Sequence, residues 1–325
     1  MITVGLTYDL RSDYLKEGYS EEETAEFDSE ITISSVENTL TELGYKTQRI
    51  GNVKALIKAL HEGTRWDLVF NIAEGMYGIG REAQVPALLD VYQIPYVFSD
   101  PLVLSLTLHK GLTKRVIRDC KIPTANFVIV EKSSDLSTIN LSFPLFAKPV
   151  AEGTGKGIDS RSKVNSKAEL ENLCIELLER FKQPVLVEEY LPGREFTVGV
   201  VGTGDDAKVV GAMEIIITER AKENTYSYHT KENWKGIVEY QMATGDIEKK
   251  CIDVALSAWR TLGCRDGGRV DLKMDANGIP NFIEVNPLAG INPEHSDLPM
   301  LAGKKGISFN QLIDLIMKSA LKRIN

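Results

Sequence analysis

Polar and apolar positions alternate along "GGRVDLKMDANGIPNFIEVNP", residues 267–287. Side chains alternate faces along a strand, so Arg269, Asp271 and Lys273 share one face and Val270, Leu272 and Met274 the other. On a second arm Glu284 and Asn286 share a face, with Ile283 and Val285 opposite. The turn between the arms, Asp275-Ala276-Asn277-Gly278, holds residues that tolerate positive φ, so the stretch predicts a β-hairpin. Elsewhere the pattern switches between periods. "MITVGLTYD", "KTQRIG", "WDLVFNIA" and "IPYVFS" read as strands. Between them, "SEITISSVENTLTELGY" reads as a helix stopping at Gly44, "NVKALIKALHEG" as one capped by Asn52 and ended at Gly63, and "EAQVPALLDVYQ" as one containing a proline. That alternation predicts a doubly wound, mostly parallel sheet over residues 1–100. Ligands of such sheets sit beyond the carboxyl ends of the strands, here Tyr8-Asp9 and Ala73-Glu74-Gly75.

Residues 101–183 change character. A basic helical pair (100–120) leads to a turn and strand in "KIPTANFVIV", then to "FPLFAKPVAEGTGKGI" and a helix, "SKAELENLCIELLERF". Residues 184–325 open with three strands, "PVLVEEYL", "REFTVGVVG" and "AKVVGAMEIII". A polar stretch at 218–246 reads as a loop. A helix over 247–262, the hairpin, a Pro-Gly-rich segment over 287–306 and a terminal helix complete the chain. Three units, 1–100, 101–183 and 184–325, are expected.

Composition narrows the partners. A chain of 325 residues with 43% hydrophobic content is long enough for more than one core. The net charge of −8 argues against nucleic acid or an anionic membrane recognised by bulk charge. Cys120, Cys174, Cys251 and Cys264 show no CxxC spacing, which suggests reduced thiols in a cytoplasmic protein rather than a zinc site. No signal peptide is expected, since Met1 leads straight into a strand, and no apolar run is long enough to span a membrane. The acidic segment "RSDYLKEGYSEEETAEFD", residues 11–28, reads as a solvated loop.

Chemistry concentrates in a few stretches. Asp271, Glu284 and Asn286 would converge on the hairpin's polar face. Three oxygen-bearing side chains without His or Cys suit a hard cation such as Mg²⁺, although cross-strand salt bridges on a surface hairpin would give the same pattern. Lys148 ends a strand before Gly153, Gly155 and Gly157, whose spacing lets backbone N–H groups approach a phosphate. This spacing is not that of a P-loop, and a flexible hairpin tip is the other reading. Backbone at 189–191 could read an adenine edge and Glu195 could accept ribose hydroxyls; surface acids on an edge strand would look the same.

Taken in order, these stretches resemble the ATP-grasp superfamily, and within it the D-alanine–D-alanine ligase branch, over nearly the whole chain and most strongly over residues 105–310. The resemblance implies an α/β ATP-grasp fold: an N-terminal parallel-sheet domain followed by two α+β domains that clamp ATP. It matches Lys110 and Lys148 to two ATP-contacting lysines, and Glu152-Gly153-Thr154-Gly155-Lys156-Gly157 to the glycine-rich loop over the phosphates. Glu188, Glu189 and Leu191 match the adenine linker, Glu195 the ribose contact and Lys231 a γ-phosphate lysine in a mobile loop. Arg269 matches a catalytic arginine, and Asp271, Glu284 and Asn286 the ligands of two Mg²⁺ ions. In "NPLAGINPEHSDLP", Gly290 and Ser296 match an oxyanion N–H and a substrate-carboxylate contact. The implied activity is ATP-dependent joining of two amino acids through an acyl phosphate, as in peptidoglycan synthesis, by a possible homodimer in the cytoplasm.

The departures lie on the substrate side. A Glu–Ser–Tyr set that orients the first amino acid corresponds here to Asp28, Thr154 and Glu232, with Tyr226 and Tyr228 nearby. A His-Gly pair is Glu74-Gly75, and Asp297 replaces an apolar residue. Asp28 and Glu74 could each pair with an ammonium group; Asp28 could also be only the N-cap of the helix that follows it. A different substrate pair, a nucleotide-binding protein without ligase activity, and a kinase that stops at the acyl phosphate are the other readings.

Overall fold

The computed structural model describes residues 1–218 and 236–324. Strands β1 (Thr3–Tyr8), β2 (Lys46–Gly51) and β3 (Leu68–Ile72) form a parallel sheet in the order β2-β1-β3. Helices α1 (Arg11–Lys16), α2 (Glu30–Glu42), α3 (Val53–His61) and α4 (Gln84–Val91) lie between or after these strands. α3 starts where Asn52 Oδ1 accepts from the N–H groups of Lys54 and Ala55, an N-cap that satisfies two end donors. The cap of α2 is Ser29, not Asp28. Residues 94–99 add only one bridge, Val69 to Tyr96, instead of the expected strand. Phe98 turns to φ 77° and gives its N–H to buried Asp266 at 2.7 Å, so the segment leaves the sheet.

Helices α5 (Pro101–Leu108) and α6 (Lys110–Asp119) precede a second sheet. Strands β4 (Phe127–Val130), β5 (Leu145–Pro149), β6 (Lys163–Val164) and β7 (Val185–Glu189) pair antiparallel in the order β4-β7-β5-β6. α7 (Lys167–Phe181) covers it with Leu170, Leu173, Cys174 and Leu177, the apolar face that its 3.6-residue period provides. A third sheet joins β8 (Glu195–Val201), β9 (Lys208–Ile217), β10 (Val238–Met242), β11 (Gly267–Met274) and β12 (Pro280–Asn286) in the order β10-β9-β8-β11-β12. β10 falls inside the stretch expected to be a loop. Its Val238 is buried while Glu239 is exposed, an alternation too short to stand out from the polar residues around it.

α8 (Gly245–Leu262) packs one face of this sheet through fully buried Trp259, whose Nε1–H donates to Gly202 O at 3.1 Å. α9 (Asp297–Lys304) and α10 (Phe309–Leu321) place Leu298, Ile313 and Ile316 in one core with Leu6 and Phe70 of the parallel sheet. The first strands and the last helix therefore share a hydrophobic cluster, which also takes in Val201 of β8, Met213 of β9 and Leu288 just after β12. Among the described residues no helix is long and apolar enough to cross a membrane, and Cys120, Cys174, Cys251 and Cys264 are unpaired.

Candidate active site

The hairpin has the expected faces, with one exception. Arg269 pairs with Asn286 and Asp271 with Glu284 across β11 and β12, while Val270, Leu272 and Val285 are buried. After Asp271 the register slips, so that Leu272 faces Phe282. This β-bulge leaves Ile283 as the extra residue, and Ile283 lines the cleft beside Glu284 instead of entering the core. The turn closes as predicted: Asp275 Oδ1 accepts from the N–H groups of Asn277 and Ile279, and Gly278 adopts φ 73°.

The polar face is tightly hydrogen-bonded. Asp271 accepts from Thr197 Oγ1 at 2.8 Å, from Asn286 Nδ2 at 3.2 Å and from Arg269 Nε at 3.3 Å. Arg269 also lies 3.7 Å from Asp297. Lys110 is buried at the start of α6; its Nζ donates to Glu152 O at 2.6 Å and stands 3.4 Å from Glu284. Among the described residues no group of three His, Cys, Asp or Glu side chains could hold a metal. The trio has two carboxylates and an amide. Asn286 gives its Nδ2 to Asp271, which leaves its Oδ1 as a further oxygen donor. Such a donor set fits Mg²⁺, which keeps several waters and takes one or two carboxylates along with substrate phosphate.

Two cavities meet at this face. The first is lined by Lys148, Gly155, Tyr190, Leu191 and Glu195, with Phe146, Ile158, Ile215 and Ile283 as an apolar slot. Lys148 is buried 3.2 Å from Glu188, and Glu188 in turn accepts from buried Lys114 at 2.6 Å. Burial disfavours the Glu188 charge, but Lys114 and Lys148 outweigh it and hold the carboxyl at about 2. Glu188 therefore fixes Lys148 in place, and it lines the first cavity together with Glu189, Tyr190 and Leu191. Glu189 accepts from Asn126 Nδ2 at 2.9 Å, and Glu195 from Lys273 Nζ at 2.9 Å.

The second cavity, of about 250 Å³, lies at the carboxyl ends of the parallel strands and shares Lys110 and Glu284 with the first. Asp28, Glu74, Gly153, Thr154, Arg269, Gly290 and Ser296 all line it. Ser296 Oγ accepts from Asn292 N–H at 3.0 Å, and a Cβ at residue 290 would meet that oxygen at 2.9 Å, so any larger residue there would have to displace the Ser296 hydroxyl. Thr154 holds φ 49°, and its buried Oγ1 has no hydrogen-bond partner among the described residues. Burial raises the Asp28 carboxyl to about 7, with Asp9 adding to the rise and a Thr32 hydrogen bond opposing it. Burial raises Glu82, another lining residue, to about 7 despite Arg81, and raises Glu74 well above the ordinary range, helped by Glu82, Glu26 and Asp28.

These shifts set the pH dependence of stability. A carboxyl whose folded pKa is raised binds its proton more tightly folded than unfolded. Its contribution is full at or below about pH 4 and is lost as pH rises through about 7. Glu26 and Glu188, both held at about 2, act oppositely and lose theirs as pH falls from about 4.5 toward 2. The ligand-free protein is expected to melt highest near pH 5 and progressively lower toward pH 8. Asp28→Asn with Glu82→Gln should flatten that neutral limb in scanning calorimetry.

A family model described as "D-ala D-ala ligase C-terminus" matches residues 116–318. The D-alanine–D-alanine ligase of Aquifex aeolicus is 33% identical over 288 residues, covering 88% of this chain and 93% of that protein. The chain belongs to the D-alanine–D-alanine ligase family. An uncharacterised protein of Sinorhizobium fredii, y4sG, is 31% identical over 300 residues, covering 89% of this chain and 87% of its own. A crystal structure of the Bacillus anthracis D-alanine–D-alanine ligase complexed with ATP superposes with a TM-score of 0.75 at 22% identity, covering 100% of this chain and 99% of that one. The three-sheet α/β architecture is thus the ATP-grasp fold of the ligase family.

Sequence reasoning overlooked several lining or supporting residues. Lys114 sits one helical turn after Lys110, a spacing that could have marked it. Glu82 and Thr197 reach the site only through tertiary contacts, and no local signal marks them. Lys231, Glu232, Tyr226 and Tyr228 lie outside the described residues. The segment at 11–28 is not a solvated loop: after α1 it brings Phe27 into the interior, and the Glu26 side chain is only 7% exposed.

Proposed function

We propose that the chain is an ATP- and Mg²⁺-dependent ligase that joins two amino acids, as the D-alanine–D-alanine ligase family does, and that the first cavity takes ATP and the second the amino acids. The observation that carries this reading is the meeting of the two cavities at Lys110 and Glu284, beside Arg269 and Asp271. The adenine would enter the apolar slot along backbone 189–191, Glu195 would face the ribose, and Lys110, Lys148 and the loop of Gly153, Gly155 and Gly157 would hold the phosphates. Asp271, Glu284 and Asn286 would hold Mg²⁺, which supplies neutralisation of phosphate charge.

The first amino acid's carboxylate oxygen would attack the γ-phosphorus as the bond to the bridging oxygen of ADP breaks, giving an acyl phosphate. The second amino acid's amine would then attack the acyl carbon. Phosphate leaves with the electron pair of the C–O bond, and the amine's proton is lost to solvent. Arg269 and the Gly290 N–H would stabilise the tetrahedral oxyanion, a kind of contribution often worth about 3 kcal/mol. Ser296 would orient the second carboxylate and Thr154 the first substrate. A cytoplasmic enzyme acting as a homodimer belongs to the same reading, and light scattering would show the dimer.

Phosphate release from ATP with each of a panel of amino acids, with mass detection of products, tests the activity. ADP formation that never depends on an amine and leaves the phosphate on the acid would favour a kinase; nucleotide binding without turnover would favour a binding protein. Lys148→Ala is expected to weaken ATP binding about tenfold to a hundredfold, the loss for a charge-assisted contact of roughly 1.5–3 kcal/mol. Calorimetric titration checks this, and an unchanged affinity would remove the phosphate role.

A further inference from the structure

The acidic segment before α2 ends in a side chain that grips the glycine-rich loop. Glu26 Oε1 accepts from the Gly153 N–H at 2.8 Å and lies 2.9 Å from Lys156 Nζ. Its Oε2 accepts from Arg81 Nη2 at 2.8 Å, and Arg81 Nη1 donates to Ala151 O at 2.9 Å. Residues 151, 153 and 156 of one loop are thus tied to a single carboxylate and its arginine, all from the first eighty-one residues. Resting on the function proposed above, we propose that Glu26 is a positioning residue: it holds the glycine-rich loop in its phosphate-binding shape before nucleotide arrives.

The loop needs such a brace. Thr154, Gly155 and Gly157 all hold positive φ, at 49°, 75° and 73°. Within the loop only two backbone hydrogen bonds support this path, Lys156 N–H to Gly153 O at 3.0 Å and Ile158 N–H to Gly155 O at 3.1 Å. A left-handed threonine persists where the surroundings over-determine it, and glycines lose the most conformational freedom on ordering. A loop ordered in advance spares the nucleotide that cost on binding. The Glu26 carboxylate suits the role because it is buried and doubly paired. Burial alone would raise it, yet Arg81 and Lys156 keep it ionised, at about 2. By contrast, the outer contact of the segment, Arg180 with Glu22 at 2.5 Å, is about half exposed and contributes little.

Glu26 also lines the second cavity beside Asp28 and Thr154. The brace therefore stands between the two substrate sites, with the amino-acid cavity on one side and the phosphate loop on the other.

The test is Glu26→Gln in the full chain. Glutamine keeps the size but cannot balance both Arg81 and Lys156. Exchange of the amides at 151–158 in the ligand-free protein should quicken about tenfold or more while that of β8 stays unchanged, and affinity for a non-hydrolysable ATP analogue should fall by a similar factor. Glu26→Asp, which keeps the charge, should recover part of both. If Glu26→Gln does not fold, Lys156→Met probes the same contact and should quicken the same amides. Unchanged loop exchange in a folded variant, or equal quickening throughout the chain, overturns the brace. Wild-type protein that does not bind the analogue overturns the proposed function instead, and the exchange measurement still decides the brace.

Discussion

Asp271→Asn and Glu284→Gln should each lower turnover about a thousandfold while the melting temperature moves by only a few degrees. A metal that neutralises transferring phosphate is worth several kcal/mol, and each substitution removes one of its two carboxylates. Stability should change little, because both side chains sit on the part-buried polar face while the other face of the hairpin carries the core through Val270, Leu272 and Val285. Asp271→Asn also loosens Arg269, which then keeps Asp297 at 3.7 Å as a neighbour. Raising Mg²⁺ should recover part of the activity of Glu284→Gln, since a weakened site still fills at higher metal concentration. Phosphate release across a Mg²⁺ titration, with thermal unfolding of the same samples, checks both halves. Near-normal release at ordinary Mg²⁺ in either variant would show that the hairpin holds no essential metal.

The hairpin also shows how far the chain could be read without coordinates. Period-two alternation placed Arg269, Asp271, Glu284 and Asn286 on one face, because strand geometry is local and Asp275-Ala276-Asn277-Gly278 specifies its turn. The bulge that turns Ile283 into the cleft was not legible: it depends on how β12 registers against β11, and the glycines of the hairpin arms, Gly267 and Gly268, stand at the far end of β11 from the slip at Asp271. The same contrast runs through the site. Gly153, Gly155 and Gly157 announce a close approach of backbone to something. Nothing near Glu26 announces that its carboxylate will meet Gly153, 127 positions later. A run of glutamates before a helix looks like solvated surface, and only the packing of Phe27 and Arg81 makes one of them a buried ion. In the parallel sheet the strand and helix periods were clear, but "IPYVFS" satisfied the apolar pattern and joined it through only one bridge, at Tyr96, because Phe98 turns away to reach Asp266. The strand at 238–242 was hidden by the polar residues around it.

Asp28→Asn and Glu74→Gln should each raise the KM of the first amino acid by about one to two orders of magnitude, and together by more, with the KM of ATP almost unchanged. Both residues line the second cavity at the carboxyl end of the parallel sheet, and neither lines the first. Carboxylates gathered there favour a cationic group and disfavour another acid, so the first substrate is expected to present an ammonium group and no acidic side chain: D-alanine or another small neutral amino acid, not glutamate or aspartate. An ion pair out of bulk water loses roughly 2–5 kcal/mol when one partner is truncated. Here the loss is smaller near neutrality, because burial raises Asp28 to about 7 and keeps it partly protonated until a cation arrives, and burial raises Glu74 as well. That discount has a signature. Binding of an ammonium must displace a proton, so wild-type affinity for the first substrate should improve as pH rises through about 7. The single variants should show a shallower rise, and the double variant only the part that Glu82 still contributes. A residue that merely shaped the cavity would shift affinity equally at every pH. The N-cap explanation of Asp28 made a silent Asp28→Asn the alternative, but Ser29 caps the helix and Asp28 faces the cavity. Steady-state kinetics on both variants, from pH 6 to pH 8.5 and against both substrates, tests the assignment. Silent variants, or an enzyme that takes glutamate first, would leave the nucleotide cavity as the part of the proposal still standing.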